Sequence, residues 1–186
     1  MKQLVRVLWP FVFSCVSSGA LAGGAIVSGL VVTEIMYHPA DPEEKLEFVE
    51  IYNVTRSPLD ISGYRFIEGI DFEFPEGTWI EPYSYIVVAR DPEAFEQVYG
   101  FTPFGPYEGE LDNHGERLTL SNDSCKFDEH GRMIVRGPSL WSVEYSNRGE
   151  WPNGCNGTGH SLSLISWQTD PEDPSSWARS PRKGGT

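Results

Sequence analysis

Glycine and proline punctuate this chain singly and often. Its 19 glycines and 14 prolines separate short apolar runs, a spacing that makes many turns and leaves little room for long helices. A chain interrupted in this way buries apolar surface by stacking short strands, so the expected fold class is all-β. With 186 residues, 39% of them hydrophobic and 13% aromatic, there is material for one good core and one folded domain.

The first residues do not belong to that domain. Lys2 and Arg6 precede an apolar run over 7–16, and Ala20-Leu21-Ala22 matches the A-x-A pattern of a cleavage site. This is the layout of a signal peptide over 1–22, followed by a short linker over 23–29. Pro10, Ser14, Ser17 and Ser18 interrupt the segment, which falls short of the roughly 18 apolar residues a spanning helix needs. A membrane anchor is therefore disfavoured, and no membrane insertion is expected once the leader is removed. Cys15 invites comparison with a lipoprotein, but Phe13 places a bulky ring where a small residue is expected. The expected location is secreted or extracytoplasmic, in a periplasm or at a cell surface.

The formal charge of −13 becomes −15 when Lys2 and Arg6 leave with the leader. Nucleic acid is not an expected partner, because a phosphate backbone is gripped by clustered Lys and Arg. Here only Arg179, Arg182 and Lys183 lie near one another. The acidity serves solubility, unless some carboxylates collect a divalent cation. Cys125 and Cys155 remain, and in an exported chain a single disulfide between them would close a loop of about 30 residues and add roughly 3 kcal/mol. A free pair is equally consistent with the sequence. Two thiols without a His cluster do not suggest zinc.

Strands are expected at 30–37 (LVVTEIMY), 46–53 (LEFVEIYN), 64–67, 71–74, 78–80, 85–89 (YIVVA), 117–120, 133–135, 140–145 and 161–165. Alternation on 46–53 puts Glu47, Val49 and Ile51 on one face and Phe48, Glu50 and Tyr52 on the other. The run 85–89 is the strongest candidate for a central strand. One helix is expected over 91–99, with Asp91 as its cap, Pro92 at its first position and Gly100 as its stop. About nine short strands and one short helix make a sandwich pattern. The domain is placed at 30–167. The tail over 168–186 has no strand pattern and reads as a wrap or linker, with Trp177 docking onto the body.

The ordered segments EIMYHP, EFVEIYN, DISGYRF, FEFPEGTWIEPYSYIVVARD, HGERLTLSN, WPNG and HSLSLI resemble the lamin tail domain, and its bacterial exported members most closely. The resemblance spans about residues 30–165, and its specificity lies in the ordered set. It implies an immunoglobulin-like β-sandwich without a catalytic centre. Within the matching segments, Gly63 suits a turn that needs positive φ, and the Asp60 carboxylate suits hydrogen bonds to nearby amides. The stretch 126–138 departs from the family pattern by being more charged. A disulfide from Cys125 to Cys155 would pin it to the Trp151 loop.

Catalytic constellations are sparse. Glu47 and Glu50 have the most enzyme-like spacing, but i, i+3 on a strand sets them on opposite faces, where they cannot jointly flank one scissile bond. Glu34, in an apolar strand, suits a buried network or a cation shared with Glu47 or Glu50. Asp112, in the run Asp112-Asn113-His114-Gly115-Glu116, is a second candidate ligand for calcium, although the alternating D-x-D-x-D-G loop is missing. His38, His114, His130 and His160 lie in turn or strand-edge contexts without H-E-x-x-H spacing. The segment 159–163 lacks the final glycine of a G-x-S-x-G elbow. The sequons at Asn53, Asn122 and Asn156 are glycan acceptors only in a eukaryotic secretory pathway.

The expected function is a non-catalytic structural or interaction module that binds a protein or cell-surface polymer, without a cofactor. A calcium-stabilised carbohydrate-binding module is the alternative, with Trp79, Trp141, Trp151 and Trp167 as the stacking candidates. Coplanar exposure of two of them would favour it. A secreted hydrolase would need carboxylates converging with His38 or His114 in one pocket.

Overall fold

The computed structural model describes residues 29–41, 45–122, 126–130, 132–135 and 137–185. The signal peptide assigned to 1–22, the linker apart from Gly29, and Cys125 lie outside the described residues. In chain order the strands are β1 (Leu30–Met36), β2 (Phe48–Asn53), β3 (Leu59–Asp60), β4 (Arg65–Glu68), β5 (Phe72–Glu73), β6 (Trp79–Ile80), β7 (Tyr85–Ala89), β8 (Arg117–Ser121), β9 (Lys126–Phe127), β10 (Met133–Val135), β11 (Ser139–Glu144), β12 (Leu162–Leu164) and β13 (Trp177–Arg179). A single α-helix, α1 (Pro92–Tyr99), follows β7. Three of these strands, β3, β9 and β13, answer to no expected run, each being two or three residues long and too short to stand out in the sequence.

A five-stranded antiparallel sheet in the order β13-β12-β1-β2-β7 faces a four-stranded sheet in the order β11-β8-β4-β5, and two ribbons, β3-β6 and β9-β10, flank them. The all-β, immunoglobulin-like sandwich is therefore the architecture. Ile35, Val49, Ile51, Val88 and Leu162 of the larger sheet meet Phe66, Leu118, Leu120 and Val143 of the smaller, all 6% exposed or less. Strand alternation predicts this, because residues two apart share a face. The run 85–89 is strongly apolar for a different reason. Its Val88 enters the sandwich core, while its Val87 and Ala89 are buried on the opposite face under the helix.

Helix α1 forms as its sequence prescribes. Asp91 caps it by accepting from the Ala94 N–H, proline stands in the first turn, and Gly100 ends it in the left-handed region at φ 79°. Phe95 and Tyr99 pack on Phe48 with ring centroids 5.5 and 5.8 Å away. Burying Phe95 against Met36, Phe48, Val87 and Ala89 is worth about 2 kcal/mol. The helix thus covers one end of the outer face of the larger sheet and leaves the other end open.

The tail differs from expectation. Residues beyond 168 were expected to lack strands, yet Trp177–Arg179 forms β13 and pairs with β12, Leu164 opposite Trp177 and Leu162 opposite Arg179. Three residues carry no readable alternation. The strand is conferred by the free edge of β12 and by Trp177, which is buried as expected and donates its indole N–H to Pro171 O at 2.8 Å. Asp60 accepts from the Ser62 N–H at 3.0 Å, and Gly63 takes φ 71°, as the turn requires. Among the described residues no helix is long and apolar enough to cross a membrane.

Candidate functional site

The two carboxylates of β2 and its approach are separated by the sheet, as their spacing predicts. Glu47 points toward the interior, where Arg90 Nη1 lies 2.5 Å from one oxygen. The other oxygen accepts from Tyr107 Oη at 3.0 Å and from the Leu111 N–H at 2.9 Å. Arg90 is held in turn by Glu110 at 3.0 Å. The network ties the start of β2 to the end of β7 and to the approach to β8. Burial and the Glu47 charge push the Tyr107 hydroxyl well above its ordinary pKa, so it stays a hydrogen-bond donor. Glu47 is fully engaged and serves the fold.

Glu50 lies on the opposite, outer face. The register between β1 and β2 shifts between Val32 and Glu34, so that Val32 faces Ile51 while Glu34 faces Glu50. Thr33 is the extra residue of this bulge. Plain alternation would have placed Glu34 on the face of Val32; the bulge reverses the phase and sets two carboxyl groups directly across from one another. Thr33 Oγ1 donates to Glu50 Oε1 at 2.6 Å, and Ser161 Oγ donates to Glu34 Oε1. Burial first, and the neighbouring Glu34 charge second, push the Glu50 carboxyl up to about 8 against the opposing Thr33 hydrogen bond. Glu50 therefore carries its proton at neutral pH.

The two groups differ in access. Glu34 is 2% exposed and lies beneath Gly185, where a Cβ would collide with its Oε1. Glu50 is only partly buried and opens into a depression lined by Tyr85, Val87, Phe101, Thr102, Pro103 and Phe104. The segment 101–104 is held against the edge of β7: Phe104 donates to Val87 O at 2.8 Å and accepts from the Ala89 N–H at 2.9 Å. Gly105 makes this approach feasible, since at its φ of 129° a Cβ would collide with Ala89 O. Phe101 and Phe104 are fixed by edge contacts to Phe95 and Phe74 at 5.1 and 5.6 Å.

Beyond Glu50, Tyr52 and Tyr85 stack with centroids 4.3 Å apart. Burial, with Tyr83 as the second cause, raises the Tyr52 pKa; burial, with Glu50 second, raises that of Tyr85. Tyr83 is 53% exposed. The outer face thus grades from an apolar, helix-covered end through the carboxyl pair to a tyrosine end. Alternation revealed Phe48, Glu50 and Tyr52 as one face. The contributions of Tyr85 and of residues 101–104 were missed, because they depend on β2–β7 register and on a loop without a pattern.

The structure brings Glu34 together with Glu50 and not with Glu47. Asp112 lies elsewhere, in a tight turn before β8 where its carboxylate accepts from the His114 N–H at 2.7 Å, an interaction that lowers its pKa. Among the described residues no three His, Cys, Asp or Glu side chains converge as a metal group would. Cys155 is buried and its thiol donates to Ser161 O, with burial pushing its pKa up to about 11. His38 pairs with Asn156 and His160 with Ser180 O, both half-buried, whereas His114 and His130 are exposed. Of the four tryptophans weighed for sugar stacking, Trp141 and Trp151 are buried, Trp167 packs on the core, and Trp79 alone is exposed, at 54%. The coplanar exposed pair that stacking requires is not there. The Asn53 amide is fully buried and donates to Ser57, Ile80 and Glu81 carbonyls, leaving no room for a glycan.

Comparison with curated proteins gives no match, and neither does comparison with solved structures. One family does match: the sequence pattern described as Lamin Tail Domain aligns with residues 26–134. β11, β12 and β13 lie beyond that span yet complete both sheets. The matched segment covers more than half of the chain and supplies β1, β2 and β7 of the larger sheet and β4, β5 and β8 of the smaller, and the chain belongs to the lamin tail domain family.

Proposed function

We propose that this chain is an exported, non-catalytic interaction module that holds a protein or cell-surface partner through the open end of the outer face of its larger sheet. The observation that carries this reading is the graded face itself. The sheet is covered by α1 at one end, and at the other it presents Tyr83, 53% exposed, with the half-buried Tyr85 and Glu50; Trp79, 54% exposed, stands on the flanking β3-β6 ribbon. Tyrosine and tryptophan at an open surface combine large apolar area with a polar tip, the chemistry enriched at interfaces. Membership in a family of immunoglobulin-like modules supports the same reading. Catalysis is disfavoured because Glu34 is closed off under Gly185 and Glu47 is locked to Arg90, so a lone Glu50 reaches the surface without a second acid or base.

The test is surface binding of extracytoplasmic proteins and soluble cell-surface polymers to the immobilised chain, wild type against Tyr83→Ala and Trp79→Ala. A partner whose affinity falls tenfold or more in either variant supports the reading. A partner indifferent to both places the interface elsewhere, and turnover of any of these polymers that disappears in Glu50→Gln overturns the non-catalytic assignment. Export is tested by N-terminal sequencing of the chain from culture fluid or periplasm; a start at Gly23 is expected, and an intact Met1 would refute it.

A further inference from the structure

The depression at Glu50 has the composition of an ammonium site. It is shallow, with about 20 Å³ of accessible space, room for one water-sized group such as an ammonium head. Tyr85, Phe101 and Phe104 supply aromatic walls and Glu50 supplies a carboxyl. Among the described residues Thr33 is the one hydrogen-bond partner of Glu50, and no described cationic side chain is paired with it. A cation over ring faces is attracted by their quadrupoles, and more strongly where water is excluded. The charge of the chain, −13 over its full length, favours a basic partner over an acidic one.

Resting on the reading of this face as the interface, we propose that the depression receives the ammonium head of a lysine from a protein partner on the Glu50 carboxylate, the lysine methylenes lying across Phe101 and Phe104 at its open mouth. An arginine fork would seek two coplanar acceptors, and Thr33 already occupies one oxygen. Entry of the ammonium requires Glu50 to ionise and release its proton to solvent. The charged or titratable groups facing it are Glu34 on β1, Tyr52 on β2 and Tyr85 on β7. The tyrosines stay neutral over the range used, since both are shifted upward.

The probe is n-butylammonium, with 1-butanol as the neutral match, titrated into the full chain and followed by the amide and methyl NMR signals of Val87 and its neighbours. Butylammonium should bind and butanol should bind at least tenfold more weakly. The butylammonium Kd should tighten about 100-fold from pH 6 to pH 9, as ionisation of Glu50 ceases to compete. Glu50→Gln, which keeps shape and a hydrogen bond, should lose both the preference and the pH dependence; Thr102→Trp should block the mouth and abolish binding while Glu50 still titrates. Equal binding of butanol, or a Kd that is flat with pH or unchanged in Glu50→Gln, overturns the proposal. If butylammonium fails to bind while Tyr83→Ala still weakens a partner, the lysine site is wrong and the interface reading stands. If butylammonium binds as expected but the partner ignores Glu50→Gln, the pocket is not where that partner docks and its role here is refuted.

Discussion

Replacing Glu50 with Gln should make the domain more stable, and the gain should depend on pH in a specified way. The folded carboxyl is pushed up to about 8 from an ordinary 4.5, by burial and then by Glu34. Below pH 4.5 the group is protonated in both folded and unfolded chains, and the substitution should change little. Between 4.5 and 8 the unfolded chain gives up the proton and the folded chain keeps it, so wild-type stability declines steadily as pH rises; above 8 the full loss is in place. Each pH unit is worth about 1.4 kcal/mol, which bounds the loss at about 5 kcal/mol, and water at the pocket mouth reduces it to about 2–4. For a domain of this size that is a midpoint gain of roughly 5–15 °C for Glu50→Gln at pH 9. Thermal unfolding of both chains at pH 5, 7 and 9 measures it. A difference between the two that is the same at pH 5 and pH 9 would refute the argument, because a packing effect has no reason to follow this titration.

Two further outcomes follow from other buried groups. Glu47→Ala should cost about 3 kcal/mol in urea unfolding, since it strands the Tyr107 hydroxyl and the Leu111 N–H and leaves Arg90 with Glu110 alone; a loss under about 1 kcal/mol would mean that solvent already serves these groups. In a Cys125→Ser chain, Cys155 should react with a thiol reagent at pH 8 only as fast as the chain opens, because it is buried and its pKa is pushed up to about 11; complete labelling of the native chain within minutes would show the site to be accessible.

Much of the fold was legible because its determinants are local. The cap, proline and stop of α1 lie within ten consecutive residues. The strands of 30–37, 46–53 and 85–89 announce themselves by β-branched and aromatic content, and the opposite facing of Glu47 and Glu50 follows from a period of two. What escaped was set by register. Arg90 meets Glu47 only because β2 and β7 pair with Phe48 opposite Ala89. Glu34 meets Glu50 only because of a bulge that no composition marks. β13 is a strand because β12 has an edge to fill, and the walls at 101–104 come from an irregular segment held by two backbone hydrogen bonds. The tryptophans mislead for a related reason: their size makes them candidates for stacking on a ligand and equally for filling the sandwich, and burial of Trp141 and Trp151 decides for the second.

The carboxyl pair is where local rules and the observed structure disagree most, and its position makes that disagreement informative. Like groups placed directly across two strands oppose each other, and the neighbouring positions on the same face, Met36, Phe48, Val87 and Ala89, show that an apolar solution is available to this sheet. The unfavourable arrangement is confined to the point where the helix cover ends and the pocket begins. A cost kept at a surface opening, and absent from the covered part of the same strands, is what the proposed lysine site would require. An ammonium on Glu50 would cancel both causes of the raised pKa, since it neutralises the charge that burial penalises and screens it from Glu34. Below pH 8 the free energy of ionising Glu50 is subtracted from the affinity of such a lysine, so the pH dependence of stability and that of affinity at this face report one titration.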